Sequence, residues 1–384
     1  MPDVSLPELI ASFVRIDSVN PALDDSHAGE SELARYIADW SEQRGLHVQW
    51  LESTPGRPSL LITAKGTGGG RNLLLNGHLD TVGVKGMEAP FEPRVREGHM
   101  YGRGVFDMKA SLAACLVTLL NVKEQQLRGD VIFAVVADEE SGSIGTSETL
   151  AALAAAGTDV AAAIVTEPSE LEIQAAHRGF AIMDVELIGK ASHTAKPEAG
   201  VNALTHLGRM LAGVDRTAER LAQAPSHPLL GHGSLQAVLA SGGQELYTTP
   251  ALASATLERR TVPGESHAQA RKEIDAIIGE MRAKDPTVRA SVTTRIAREP
   301  FEVPLDSEIV KVVADAAQQI TGAPAPLVGA PYWTDAALIS EAGIPTVLYG
   351  PRGGGIHQTT EWVELASVEA VRQVLTRTAV TICG

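Results

Sequence analysis

The sequence predicts an α/β fold with a mostly parallel central sheet and a second, smaller domain inserted into it. Three observations carry this. Short apolar runs alternate with helical stretches over residues 1–178, the order changes to β-α-β-β-α-β between 179 and 293, and the alternation returns over 294–384. The chain has 384 residues, more than the roughly 250–300 that one core usually holds. Two domains follow: a discontinuous one from 1–178 and 294–384, and an inserted one from 179–293.

The elements are justified in chain order. Leu6, Leu9, Ile10 and Phe13 recur at helical spacing, and Ser5 with Glu8 fits a capping box. A second helix covers 29–44 and stops at Gly45. The runs LLIT (60–63), NLLL (72–75), VIFAVVA (131–137) and AAAIVT (161–166) read as buried strands, and 110–125 and 146–156 as helices. In the insertion, FAIMDVELIG is a strand, 200–223 a helix, SLQAVLAS and ALASATLERR strands, 265–283 a helix and VRASVTTRI a strand. That is the order of a split ferredoxin-like unit. Helices at 306–321 and 366–380 and the strand TVLYG (346–350) complete the first domain.

Composition narrows the function. The formal net charge is -15 with no compensating basic run, which argues against nucleic acid and anionic membrane as partners. The start MPDVSLPELIASFVRIDSVNP lacks the basic head and unbroken apolar run of a signal peptide, and no stretch is expected to span a membrane. Two cysteines, Cys115 and Cys383, make no disulfide framework and suit a reducing, cytoplasmic compartment.

Clusters of histidine and carboxylate follow the predicted strands, where ligand sites of open α/β sheets gather. In NGHLDTV (76–82), His78 and Asp80 share one face of an extended chain. They form either a surface turn pair or a ligand with its carboxylate support. Asp107 in YGRGVFDMKA (101–110) is by itself a helix N-cap, or a carboxylate able to bridge two cations. ADEESGSIG (137–145) sets Asp138, Glu139 and Glu140 side by side after the most apolar strand. Without a cation these would repel one another, so metal is the economical explanation, with one glutamate free to act as general base. Glu167 in TEPS is held extended by Pro168. His357 follows three glycines, of which Gly355 is a candidate for close approach of backbone to ligand.

Taken together, NGHLDTV, GRGVFDMKA, DEESGSIG, TEPS, ASHTAKPEAGVNA, ERRTVPGE and the glycine-rich stretch ending in His357 resemble one zinc metallopeptidase family. It includes acetylornithine deacetylase, succinyl-diaminopimelate desuccinylase, aminoacylase and glutamate carboxypeptidase, and the resemblance covers almost the whole chain. It implies a zinc-exopeptidase-like catalytic domain with the insertion as lid and dimerisation domain. His78 and Glu167 would hold one zinc ion, Glu140 and His357 a second, and Asp107 would bridge them; cobalt or manganese could replace zinc. Glu139 would be the general base, Asp80 would orient His78, and the Asp107–Met108 peptide would be cis. His193, in GKASHTAKP, would stabilise the oxyanion, often from the partner subunit of a homodimer. Arg260 would receive a substrate carboxylate, with Asn202 and Gly355 in the same pocket. His27, His47, His99, His227, His232 and His267 are assigned to structural or surface roles.

Glutamate at 167 is more typical of the family's deacylases and carboxypeptidases than of its aminopeptidases. The resemblance therefore implies hydrolysis of an N-acyl amino acid, with a glutamate-carboxypeptidase-like exopeptidase as the alternative. A non-catalytic metal-binding protein of the same fold is the reading from another class. PYWTDAAL (331–338) departs from the strings of the acetylornithine and succinyl-diaminopimelate enzymes, so those exact substrates are not implied; Trp333 there lines a larger pocket or packs in the core.

Overall fold

The computed structural model describes residues 5–384; the first four residues of the start read above lie outside them. The chain divides into two compact units. The first runs to Ala175 and resumes over Val303–Val328 and Thr334–Gly384; the second is Ala176–Glu302 with Gly329–Trp333.

In the first unit the strands lie in the order His47–Leu51, Ser59–Ala64, Val131–Val136, Leu73–His78, Ala162–Val165, Thr346–Leu348, Ile173–His177. The last of these contains the boundary between units. The sheet is mixed. Val131–Val136, Leu73–His78, Ala162–Val165 and Thr346–Leu348 are parallel neighbours, while the strands outside them pair antiparallel. The parallel strands read as apolar runs, and so does the antiparallel strand Ser59–Ala64 beside them. Every residue of Ser59–Ala64, Leu73–His78, Val131–Val136 and Ala162–Val165 is buried, which requires cover on both faces. The missed strand His47–Leu51 is an edge with largely exposed side chains and no apolar run to announce it.

Helix Ala110–Gln125 packs on three of these strands and on the C-terminal helix Leu365–Cys383. By length and composition Val105–Gln125 could cross a membrane, contrary to the sequence expectation, but 89% of its most apolar window is buried inside the protein. A helix apolar all round is what the centre of a two-sided core demands. At the first helix, Leu6–Val14, Ser5 is the N-cap but its hydroxyl makes no capping bond, so the expected capping box does not form.

A second, small antiparallel sheet was not legible in the sequence. Its order is Gly353–Gly354, Trp362–Glu364, His99–Tyr101, Arg94–Arg96. Strands of two or three residues are too short to show a period. This sheet sets the loop after Tyr101 beside the hairpin loop that contains His357.

The second unit is built from the strands Gly179–Ile188, Ser234–Gly242, Leu252–Thr261 and Arg289–Arg298 and the helices Ala203–Ala222 and His267–Lys284. The sheet order is Ser234–Gly242, Leu252–Thr261, Gly179–Ile188, Arg289–Arg298, antiparallel throughout. Alternate residues Ala181, Met183, Val185 and Leu187 point into a core shared with Leu207, Met210, Ile274 and Ile277 of the helices. The period of two is what a sheet covered on one face requires.

Candidate metal centre

Strand Leu73–His78 delivers His78 at its carboxyl end, and the next strands in the parallel set deliver Glu139, Glu140 and Glu167 just past theirs. A Cβ at Gly350 would lie 2.0 Å from the Glu167 carbonyl oxygen, so glycine there lets the two strand ends close together. Asp107 arrives on an irregular turn. Lys109 N–H donates to the Gly104 carbonyl at 2.7 Å, five residues back, while Asp107 and Met108 leave helical φ/ψ and the peptide between them is cis. The regular helix begins only at Ala110, with Lys109 as its N-cap. Asp107 is therefore not the helix cap that its local sequence favoured.

The Asp107 carboxylate points one oxygen to each imidazole. Oδ1 is 3.0 Å from His78 Nε2, and Oδ2 is 3.4 Å from His357 Nε2. His78 Nε2 also lies 3.6 Å from Glu167, and His357 Nε2 3.1 Å from Glu140. Donor atoms of His78, Glu139 and Glu167 lie within 4.8 Å of one another, as do those of His78, Asp107 and Glu140. His78 and Glu167 are buried, whereas the His357 side chain is half-exposed.

The electrostatics suit a cation. Burial, with Glu167 next, pushes Glu139 well above the ordinary carboxylate range; burial, with Asp107 next, raises Glu140. Burial also holds Glu167 well above its usual value despite His78, with Asp107 and Glu140 adding to the rise. Burial would lower the His78 imidazole, yet the Glu167, Asp107 and Asp80 carboxylates outweigh it and hold its pKa well above normal. Hydrogen bonds to Asp107 and Glu140 raise His357 to about 10. Burial opposes ionisation of Asp107, but the two imidazoles overcome it. The protein's own charges thus leave several carboxylates resisting ionisation in one small volume, a cost that dications would remove. Imidazole and carboxylate together are donors for a transition metal such as zinc, so the residues fit the metals that the sequence implied.

Asp80 meets the His78 ring chiefly through its backbone. His78 Nδ1 bonds the Asp80 carbonyl at 2.8 Å, with the carboxylate 3.6 Å away. Nδ1 carries one hydrogen, and the nearer acceptor takes it. The carboxylate instead accepts the N–H groups of Glu139 and Glu140, each at 3.1 Å, and Asn20 Nδ2 at 2.8 Å. It therefore holds the loop that bears both glutamates. Asp138, the third acid of that run, turns away. It takes Arg57 at 2.8 Å and Asn20 at 3.0 Å, and Arg57 also forks onto buried Glu30. Sequence reasoning missed Asn20, Glu30 and Arg57, because none stands in a cluster or beside a strand end. It also passed over Asp335, a buried carboxylate that accepts the Thr146 hydroxyl at 2.5 Å; burial raises its pKa to about 6. Its place in PYWTDAAL was the available signal.

Gly355 has a backbone reason of its own: φ is +78° and a Cβ would meet the Thr360 carbonyl at 1.8 Å. His193, Asn202 and Arg260 belong to the second unit. His193 is exposed, and its Nδ1 accepts the Ala195 N–H at 3.1 Å. Asn202 caps the helix Ala203–Ala222 by accepting the Thr205 N–H. Arg260 pairs with Glu258 at 2.7 Å, its guanidinium 5.3 Å from the Phe180 ring. Trp333 is half-buried in the same unit, and its indole N–H donates to the Glu299 carbonyl.

Imidazole and carboxylate donors gathered around Asp107 make a candidate metal centre, and the family of the chain makes it that of a metal-dependent hydrolase. The profile of peptidase family M20/M25/M40 matches residues 74–381, and the chain belongs to that family. It is 27% identical over 398 residues to an acetylornithine deacetylase of Proteus mirabilis, covering 99% of this chain and 98% of that one. Its fold is similar to that of a tripeptidase from Staphylococcus aureus, with a TM-score of 0.81, 22% identity and 98% of each chain covered. It is also similar to a dinuclear metal-binding peptidase of the M20 family from Bacillus subtilis, with a TM-score of 0.75, 15% identity and coverage of 98% and 97%.

Proposed function

We propose that this protein uses two zinc ions to hydrolyse the amide bond of an N-acyl amino acid. The observation that carries the reading is the Asp107 carboxylate, set between His78 with Glu167 on one side and His357 with Glu140 on the other. In this reading those five residues are the ligands. When bound, the metals supply Lewis-acid polarisation of the acyl carbonyl and a lowered pKa for the attacking water. Glu139 takes a proton from that water and returns it to the amide nitrogen, so that a C–O bond forms, the C–N bond breaks, and a carboxylic acid and a free amine result. Asp80 keeps Glu139 in place through its backbone N–H. His193 stabilises the oxyanion and Arg260 receives the substrate carboxylate, roles supported by the family's motifs at those positions.

Relatedness over the full length to a deacetylase supports an acyl substrate over a peptide. A homodimer belongs to the same reading, supported by the edge strand Ser234–Gly242, which leaves Val238 and Leu239 exposed at 46% and 63%. So does a reducing compartment, supported by two free, buried thiols. The test is a panel of N-acetyl and N-succinyl amino acids set against dipeptides and folate-like substrates, with metal-reconstituted protein. Turnover confined to the acyl amino acids is expected; turnover confined to the peptides or folates makes it an exopeptidase.

A further inference from the structure

The hairpin loop that bears His357 ends at Glu361, which is 2% exposed. One of its carboxylate oxygens accepts Arg103 Nη1 at 2.6 Å and Gly104 N–H at 2.9 Å. The other accepts the N–H groups of Phe106 at 2.9 Å and Asp107 at 3.1 Å. The Glu361 carbonyl takes the Gly102 N–H. The second terminal nitrogen of Arg103 donates to the carbonyls of Gln358 at 3.0 Å and Gly83 at 3.1 Å. One buried ion pair thus joins the segment of Asp107, the segment of His357 and the turn just past Asp80.

A buried carboxylate is tolerated only when paired and hydrogen-bonded. Here the backbone donors all come from the residues leading to Asp107. Both oxygens are occupied by these donors, so the side chain's contribution to the metal centre is geometric. Asp107 has to reach two imidazoles at once, at 3.0 and 3.4 Å, and a small slip between the two segments opens the gap to His357. His78 is carried by a central strand of the sheet, paired on both sides.

We propose that Glu361 is a positioning residue that sets the separation of Asp107 from His357, and with it the affinity of the His357–Glu140 side for its metal ion. The inference rests on the two-metal reading above. It is tested by stripping the full-length protein with a chelator and titrating it with Co2+, followed by visible absorption and calorimetry. Wild type, E361Q, R103K and H357A are compared, the last as the reference for a lost ligand. Glutamine keeps the shape but turns an NH2 group toward donors. E361Q is expected to keep the wild-type circular dichroism and the tighter equivalent. It should bind the second equivalent about 10–100-fold more weakly, as changes behind metal ligands do, and recover kcat at raised Co2+ with KM unchanged. R103K keeps the charge beside Glu361 but loses the fork, so it should show a smaller loss at the same equivalent. Wild-type affinity for both equivalents in E361Q overturns the proposal, as does an equal loss of both. If E361Q fails to fold, wild-type binding by R103K overturns it. A wild-type protein that takes up one equivalent sinks the two-metal reading instead, and Glu361 then stands or falls on that single affinity in the same comparison.

Discussion

Glu139 and Glu140 are neighbours in sequence with opposite surroundings. Glu140 meets His357 at 3.1 Å, while the Glu139 carboxylate sits near His78 and Glu167. Their separation rests on Asp80, which fixes both backbone N–H groups. Glu139→Ala should therefore abolish turnover, a loss of at least about 100-fold for a general base, and leave the metal content by atomic emission unchanged. A variant that loses metal shows the two glutamates to have exchanged roles. Arg260 is tested by kinetics. Arg260→Ala should raise KM for N-acyl amino acids and leave kcat near wild type, the pattern of a lost binding contact; unaltered kinetics remove it from the pocket.

At the scale of elements, the helix Ala110–Gln125 is the part most tied to stability. Leu116 is fully buried in it, and Leu116→Ala should cost about 2–5 kcal/mol in urea unfolding, the range for a cavity that the core cannot refill. A cost near zero means the helix is less enclosed than described. Cys115 lies on the same helix, and burial pushes its thiol up to about 12; Cys383, at the end of the last helix, is raised to about 11. The thiolate is the reactive form, so at pH 8 neither should react with a chromogenic disulfide reagent until the protein is denatured, when both do. Rapid labelling of the native protein contradicts their burial. The small sheet through His99–Tyr101 and Trp362–Glu364 has few residues, yet it sets where the Asp107 and His357 loops meet.

For the whole molecule the chief expectation concerns metal removal. Several carboxylates with raised pKa values share the centre, so a dication that binds only the folded chain stabilises it by mass action, about 2.7 kcal/mol at a hundredfold excess over Kd. Chelation should abolish hydrolysis and lower the Tm, and Zn2+ or Co2+ should restore both. Activity that survives complete chelation, checked by metal analysis, contradicts a metal-dependent reaction.

The sequence by itself determined the α/β class, the parallel middle of the sheet and the residues from His78 to His357 that form the cluster. Apolar runs identify doubly covered strands, and acids at their ends betray a site because such groups are costly there without a cation. Only the tertiary structure decided how those acids divide. Asp138 pairs with Arg57 and Asn20, Asp80 serves the glutamate loop more closely than the imidazole, Asp107 is no helix cap, and Glu361 with Arg103 joins segments more than 250 residues apart. The reason is physical. Periodicity and local spacing record which face of an element is buried, whereas a hydrogen bond between loops depends on the packing of every element between them.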